Sequence, residues 1–487
     1  VLTRWTTPGW RTGAGILSHR SPLLALGLVL LVLVPVWRQA KLVPLGSYDQ
    51  DFYLGIAYDL LESGRYTDGF AYAVPLPSGE RPPGMRFAPL YPVMVAAASL
   101  LEPGLRAAGA CVVNTYPNYE ACQNAATLVR GTQFLMLAAV YLMVWWLGGV
   151  LIGSWRGAWM ALAIALITAP YLMRSVDLVM TEITTLFLSS AATAAGVAAL
   201  QRPHRLRWGV AAGVLLGLGA LTRPAFLYLF YAVVVASFCL AAVAAARRRW
   251  RAGLLLGVFV AGFAVPVGPW VLRNAIVLHR AGLSFGYASH TLVQRISFDA
   301  MTPREYALSY LCGLPDGFGI ANQLVGRGSC DRFALDDKPG TFYQIGTGPL
   351  LTQTLEASGG YENHLSYLLH TYIFKEPLKH ALVTIPMALR GAWVDHDWGL
   401  VLGLVCIGMT VTAVRRRETG FLVLALPAWF MLLFNAAVAV NQVRYNLMLI
   451  PPYAVAGAMV VERILRTRRG GGGGLRRRMA QGLIRPT

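Results

Sequence analysis

The sequence predicts a polytopic α-helical membrane protein, with about ten transmembrane helices, interfacial helices on the external face and a small mixed external domain. Three observations carry this. Of 487 residues, 56% are hydrophobic and 13% charged, with a mean hydropathy of +0.52, which excludes an ordinary soluble globule. The apolar residues fall in runs close to the ~20 that a membrane-crossing helix needs. Basic residues and cysteines, read separately, give the same sidedness.

The apolar runs lie at 21–37, 126–152, 157–173, 180–200, 208–222, 225–246, 252–271, 398–414, 420–440 and 445–462. Arg4, Arg11 and Arg20 precede the first run, so the N-terminal side is expected in the cytoplasm. The first run is long and lacks a small-x-small cleavage site, so it reads as a retained anchor. Ten crossings from there place Arg156 and the patches at 202–207, 247–251 and 415–417 inside. The formal net charge of +19 is therefore the signature of cytoplasmic loops, and nucleic acid is not an expected partner.

The same threading places two cysteine pairs outside. Cys111 with Cys122, and Cys312 with Cys330, are close pairs in polar segments, as expected of disulfides in an oxidising compartment. Neither pair has the Cys-x-x-Cys spacing of a zinc site. Cys239 and Cys406 lie in apolar runs and read as packing residues. The apolar stretches 89–101 and 378–393 are short, and a crossing by either alone would put the later charges on the wrong side. Both are read as interfacial or re-entrant helices. Four regions follow: a membrane module at 1–271 with an external loop at 38–125, an external segment at 272–397, C-terminal membrane helices at 398–462, and a flexible basic tail at 463–487.

The polar residues that break this pattern are the candidate site. "GSYDQDFYLGIAYDLLESG" places Asp49 and Asp51 where the chain leaves the first span. A carboxylate at the bilayer centre costs about 2.5–3.5 kcal/mol, so acids gather at interfaces without any functional demand as well. Asp177 and Glu182 stand at the start of the fourth span, and Glu182 lies about one turn inside an apolar helix. An acid there suits a helix N-terminus, worth about 0.3–1 kcal/mol, or serves a ligand. Arg81, Arg86, Arg223, Arg273 and Arg444 fall on the same expected side. Arginine grips phosphate with two prongs and keeps its charge, so the set suggests a phosphorylated ligand at the lipid surface. Snorkelling explains any one of them alone. Asp395, His396 and Asp397 in "WVDHDWG" are donors suited to a divalent metal, although neighbours in sequence rarely converge on one ion.

Together these residues resemble the GT-C glycosyltransferases, particularly the branch with protein O-mannosyltransferases and lipid A aminoarabinose transferases. The matching stretches are Asp49-Gln-Asp51 before Tyr53–Ala57, Arg81-Pro82-Pro83, Glu182, "GVLLGLGALTRP", "PWVLRN", and Arg444-Tyr445 followed by Pro451 and Pro452. Where this family often has adjacent Asp-Glu, Gln50 intervenes here, which leaves open whether Asp49 or Asp51 is the base; Asp49 is favoured. The resemblance implies a GT-C-like fold and a polyprenyl-phosphate-linked sugar donor. It implies a glycan, lipid or protein acceptor and transfer at the periplasmic face of a bacterial inner (plasma) membrane. In this reading Asp49 is base, Glu182 the second acid, and Arg81, Arg273 and Arg444 hold phosphate. A single displacement predicts inversion. A cofactor is not identified; a divalent metal ion stays open. No Gly-rich lysine loop for nucleotide phosphates is present. The alternatives are a transporter or flippase of lipid-linked saccharides, for which charges near the midplane and paired broken spans are the expected marks, and an envelope scaffold.

Overall fold

The computed structural model describes residues 21–39, 44–45, 49–69, 81–115, 122–123, 125–201, 205–242, 246–336 and 338–482. The N-terminal arginines and the end of the basic tail lie outside the described residues. Helices dominate throughout. α1 (Ser21–Gln39) is followed by α2 (Gln50–Ser63), α3 (Leu90–Leu101), α4 (Pro103–Thr115) and α5 (Thr127–Ile152). Next come α6 (Trp155–Leu166), α7 (Ala169–Val176), α8 (Glu182–Gln201), α9 (Arg205–Ala220), α10 (Ala225–Ala242) and α11 (Ala246–Val277). The expected external segment holds α12 (Tyr287–Ile296), α13 (Pro303–Cys312), α14 (Gly317–Leu324), α15 (Phe342–Thr347), α16 (Pro349–Ser358), α17 (Tyr361–Leu368) and α18 (Pro377–Ala392). α19 (Asp397–Arg416), α20 (Thr419–Val438), a 3-10 turn over Val443–Leu449 and α21 (Ile450–Gly482) complete the chain.

The protein is a multi-pass membrane protein. Seven described helices are long and apolar enough to cross a bilayer, and eight if α6 and α7, bent by 60°, count as one broken span. The break follows from Thr168 and Pro170. A proline cannot supply the next helical N–H, while Thr168 Oγ1 turns back to Ala165 O at 2.7 Å and pairs with Tyr141 Oη at 3.1 Å. Two further expected spans are shorter: α9 has 16 residues, and the apolar part of α10 is Ala225–Cys239. α9 and α11 pack closely because glycines face the contact. A Cβ on Gly213 would collide with the Phe259 carbonyl, and one on Gly262 with that of Val210, the small-residue packing common between membrane helices.

The segment at 272–397, expected to be mixed, has helices and turns but no strand among its described residues. Gly and Pro there cut the chain into short capped helices, as where Thr302 and Glu305 form a reciprocal capping box at the start of α13. α21 runs to Gly482. Both cysteine pairs form disulfides, each with a Cα–Cα separation of 5.7 Å. The stretches at 89–101 and 378–393 are α3 and α18, of 12 and 16 residues. α3 packs with α2 and α4 in a small core around Leu54, Tyr91 and Val95.

Candidate active site

Four charged residues from four parts of the chain meet at the start of α8. Asp49 is the N-cap residue of α2, Glu182 opens α8, Arg223 lies in the turn between α9 and α10, and Arg444 lies in the 3-10 turn after α20. Arg223 Nη2 is 2.9 Å from Glu182 Oε1, and its Nε donates to Thr181 Oγ1 at 2.9 Å. Arg444 stands between the acids, 3.8 Å from Glu182 Oε1 and 3.8 Å from Asp49 Oδ2. The Tyr445 ring lies under both guanidiniums, at 5.1 Å from Arg223 and 5.3 Å from Arg444, so two like charges are braced on one aromatic face.

The two acids are brought together by a residue that looks like an interruption in the sequence. Gln50 donates to Pro44 O at 2.9 Å and accepts from Val179 N–H at 2.8 Å. That second bond joins the start of α2 to the loop leading into α8. Gln133 on α5 holds the same loop by donating to Val176 O and Leu178 O at 3.0 and 2.8 Å. Arg130, one turn earlier, pairs with Asp177 at 2.5 Å. Asp177 is thereby engaged as an anchor of the loop. Neither Gln50, Arg130 nor Gln133 stood out as a site residue in the sequence. The signal was there for the α5 pair: two large polar residues spaced i, i+3 at the start of a 26-residue apolar helix must find partners.

The site is half open. Glu182 is sealed, with 1% of its side chain accessible, whereas Asp49 keeps 40%. Glu182 Oε2 is buried without a hydrogen-bond partner. Although its tip stays accessible, Asp49 is surrounded by packed helices that displace bulk water, and this desolvation pushes its carboxyl above the ordinary carboxylate range; nearby Glu182 adds to this, while Arg444 opposes it. A carboxylate of that kind is a proton acceptor better matched to neutral pH than an exposed one.

The remaining sequence candidates are placed elsewhere or held locally. Asp51 is buried in the first turn of α2 and accepts from Phe52 N–H at 2.9 Å. Arg81 pairs with Asp59 at 2.8 Å. Arg273 donates to Gly84 O, Tyr66 O and Asn274 Oδ1 at 2.7–3.1 Å and stacks on Trp270 at 5.0 Å, which ties α11 to Tyr66 and Gly84. Arg86, two residues on, is buried, and its N–H meets Asp68 Oδ1 at 2.6 Å; its charge acts on Asp49. Asp395 and His396 form a turn with positive φ before α19. Among the described residues no three His, Cys, Asp or Glu side chains are grouped so as to hold a metal ion, the 395–397 run included.

No family model and no curated protein matches the sequence. Solved structures do match in chain path. The oligosaccharyltransferase AglB of Archaeoglobus fulgidus, in complex with an inhibitory peptide and a dolichol-phosphate, is 15% identical over 96% of this chain and 52% of its own, with a TM-score of 0.45. The same archaeal oligosaccharyltransferase with zinc and sulfate is 16% identical over 92% and 49%, at 0.44. ArnT from Cupriavidus metallidurans, bound to undecaprenyl phosphate, is 17% identical over 91% and 77%, at 0.38. The chain spans about half the length of the oligosaccharyltransferase it matches. At these identities and scores the likeness is a loosely shared helical membrane architecture.

Proposed function

We propose that the chain is an integral membrane glycosyltransferase of the GT-C type. It moves a sugar from a polyprenyl-phosphate donor to an acceptor at the external (periplasmic) face, with inversion at the anomeric carbon. The observation that carries this reading is the position of Arg444, 3.8 Å from both Asp49 and Glu182. Two acids and two arginines gather with Asp49 partly exposed and Glu182 buried, at the ends of apolar helices where a lipid phosphate would lie.

The reaction needs little beyond charge and position. The acceptor oxygen attacks the anomeric carbon as the bond from that carbon to the phosphate oxygen breaks. The electron pair leaves with the polyprenyl phosphate. Asp49 takes the acceptor proton, and its raised proton affinity suits that task. Arg444, with Arg223 beside Glu182, neutralises the charge that grows on the leaving phosphate, and the charge of Arg86 adds at longer range. Glu182 fixes Arg223 and, at longer range, Arg444. Asp51 and Asp177 shape the backbone around the acids. Arg81 and Arg273 hold the backbone beside Arg86. No step is assigned to a metal.

Membranes carrying the wild type, D49N and E182Q, incubated with a panel of polyprenyl-phosphate sugars, test the proposal. Wild-type transfer lost in both variants is the expected result. Full activity in both would remove these roles. Movement of a lipid-linked saccharide across the bilayer without transfer would favour a transporter instead.

A further inference from the structure

Where Arg444 sits depends on a short turn. α20 ends at Val438, and the chain passes through Asn441, at a φ of 46°, before the 3-10 turn that carries Arg444. Side-chain amides fasten this turn: Asn441 donates to Met387 O, Asn446 to Asn441, and Asn435 to Asn446, at 2.7–3.2 Å. The end of α20 has a second fastening. Its last carbonyls lack intrahelical partners, and two cationic side chains meet them. Arg295 Nε donates to Ala436 O at 2.7 Å, and His380 Nε2 lies 2.9 Å from Ala437 O.

These two residues share one carboxylate. Arg295, fully buried, reaches Asp299 Oδ1 at 2.8 Å, and His380 Nδ1 lies 2.7 Å from Asp299 Oδ2. Both ring nitrogens of His380 therefore face acceptor oxygens, a carboxylate on one side and a carbonyl on the other. A neutral imidazole has one N–H and serves one of them, whereas the imidazolium serves both. Asp299 and Arg295 are the charged groups that face His380. α20 carries no ionisable side chain, and α13 offers the Tyr306 hydroxyl, bonded to Leu382 O and Tyr310. On α18 itself Lys379 pairs with Glu376 at the exposed edge.

We propose that His380, held between Asp299 and the end of α20 by contacts at both ring nitrogens, is a positioning residue that holds the 439–446 turn and so places Arg444 against Asp49 and Glu182. Loss of the imidazole removes both contacts and loosens the turn. The placement of the turn follows from the geometry alone; its effect on transfer rests on the glycosyltransferase reading.

Hydrogen exchange of the 439–449 amides in the full purified chain, corrected for intrinsic exchange, tests this without any substrate. The expected result is protection about tenfold weaker in H380Q and in D299N than in the wild type. Transfer by H380Q, measured with the polyprenyl-phosphate sugar that the wild type uses, should fall about tenfold in kcat with KM little changed. H380Q exchanging like the wild type would overturn the proposal. If H380Q does not fold, D299N decides, faster exchange of these amides supporting the proposal and exchange at the wild-type rate overturning it. Weakened protection in H380Q with no transfer of any sugar by the wild type keeps the latch and removes the transferase; transfer by the wild type with unchanged protection in H380Q does the reverse.

Discussion

The two charge clusters flanking the end of α20 make opposite use of arginine and carboxylate. Around Asp299 every strong group is met at short range: Arg295 and His380 lie 2.7–2.8 Å from its oxygens, and both also reach backbone carbonyls. Around Glu182 the contacts are uneven: Arg223 lies 2.9 Å away, whereas Arg444, bonded to Gln442 at 2.7 Å, stands 3.8 Å from each acid, and one Glu182 oxygen is unmatched. A buried ion network that satisfies itself has nothing left for a guest. One with long contacts and an unmatched oxygen keeps bonding capacity for a ligand that brings its own charge. The difference separates a structural network from a site, although the residue types are the same.

The largest break in this comparison should come from removing the arginines in turn. R444A is expected to lower sugar transfer by about 10²–10³-fold, as when a donor to transition-state charge is lost, with little change in thermal unfolding. R295A takes one of two partners from Asp299 and the donor from Ala436 O at the end of α20, and should destabilise by about 3–5 kcal/mol. Activity assays and melting curves in detergent, run on both variants, separate the two. An R444A protein that melts early and an R295A protein that does not would reverse the assignment.

Asp49 and Asp299 sharpen the contrast through pH. Asp49 is raised, mainly by burial, so as a base it gains activity as the pH climbs through that raised value. D49N should lose about 10²–10⁴-fold and with it the acidic limb of the profile. Raised in the fold, the ionised Asp49 costs stability above the ordinary carboxylate range, so D49N should melt higher at neutral pH. Asp299 has the opposite sign. Burial raises it, but the His380 bond and the Arg295 charge prevail and its carboxyl lies below the usual range. Its stabilising contribution is complete above the unfolded value and disappears as the pH falls through the depressed one. D299N should melt lower at neutral pH and lose that acid dependence.

A smaller effect is expected from opening the Cys111–Cys122 bridge. The double alanine variant should lose roughly 2–4 kcal/mol of local constraint in the α4 region, read as faster proteolysis there, with Arg444-dependent transfer reduced far less than in R444A. The smallest effect belongs to the surface. Arg106 and Glu62 pair at 2.6 Å with both side chains about half exposed. R106A should leave melting and transfer unchanged within error, as exposed pairs usually do.

Glu182, Arg223 and Arg444 were legible because charge at the ends of apolar spans is conspicuous against a sequence with so few charged residues. The supporting residues were not. Gln50 separates two acids in the sequence, and only the contact with Val179 reveals it as the link between α2 and the α8 loop. Arg81 and Arg273 matched the same pattern as Arg444, yet their geometry engages them with Asp59 and with the carbonyls of Tyr66 and Gly84. A one-dimensional pattern reports which residues sit at a helix end, but not which acceptor lies across the gap.

By itself, the sequence determined that the chain spans a membrane repeatedly, where many of its spans begin and end, and which polar groups would need an explanation. Those conclusions depend on the free energy of moving each side chain between water and lipid, which is nearly a local property. The tertiary structure alone decided that Asp177 belongs to Arg130, that Asp299 holds both Arg295 and His380, and that Asp49 meets Glu182 across Arg444. Charge pairing falls off over a few ångströms, so partners separated by tens or hundreds of residues are chosen only once the helices have packed.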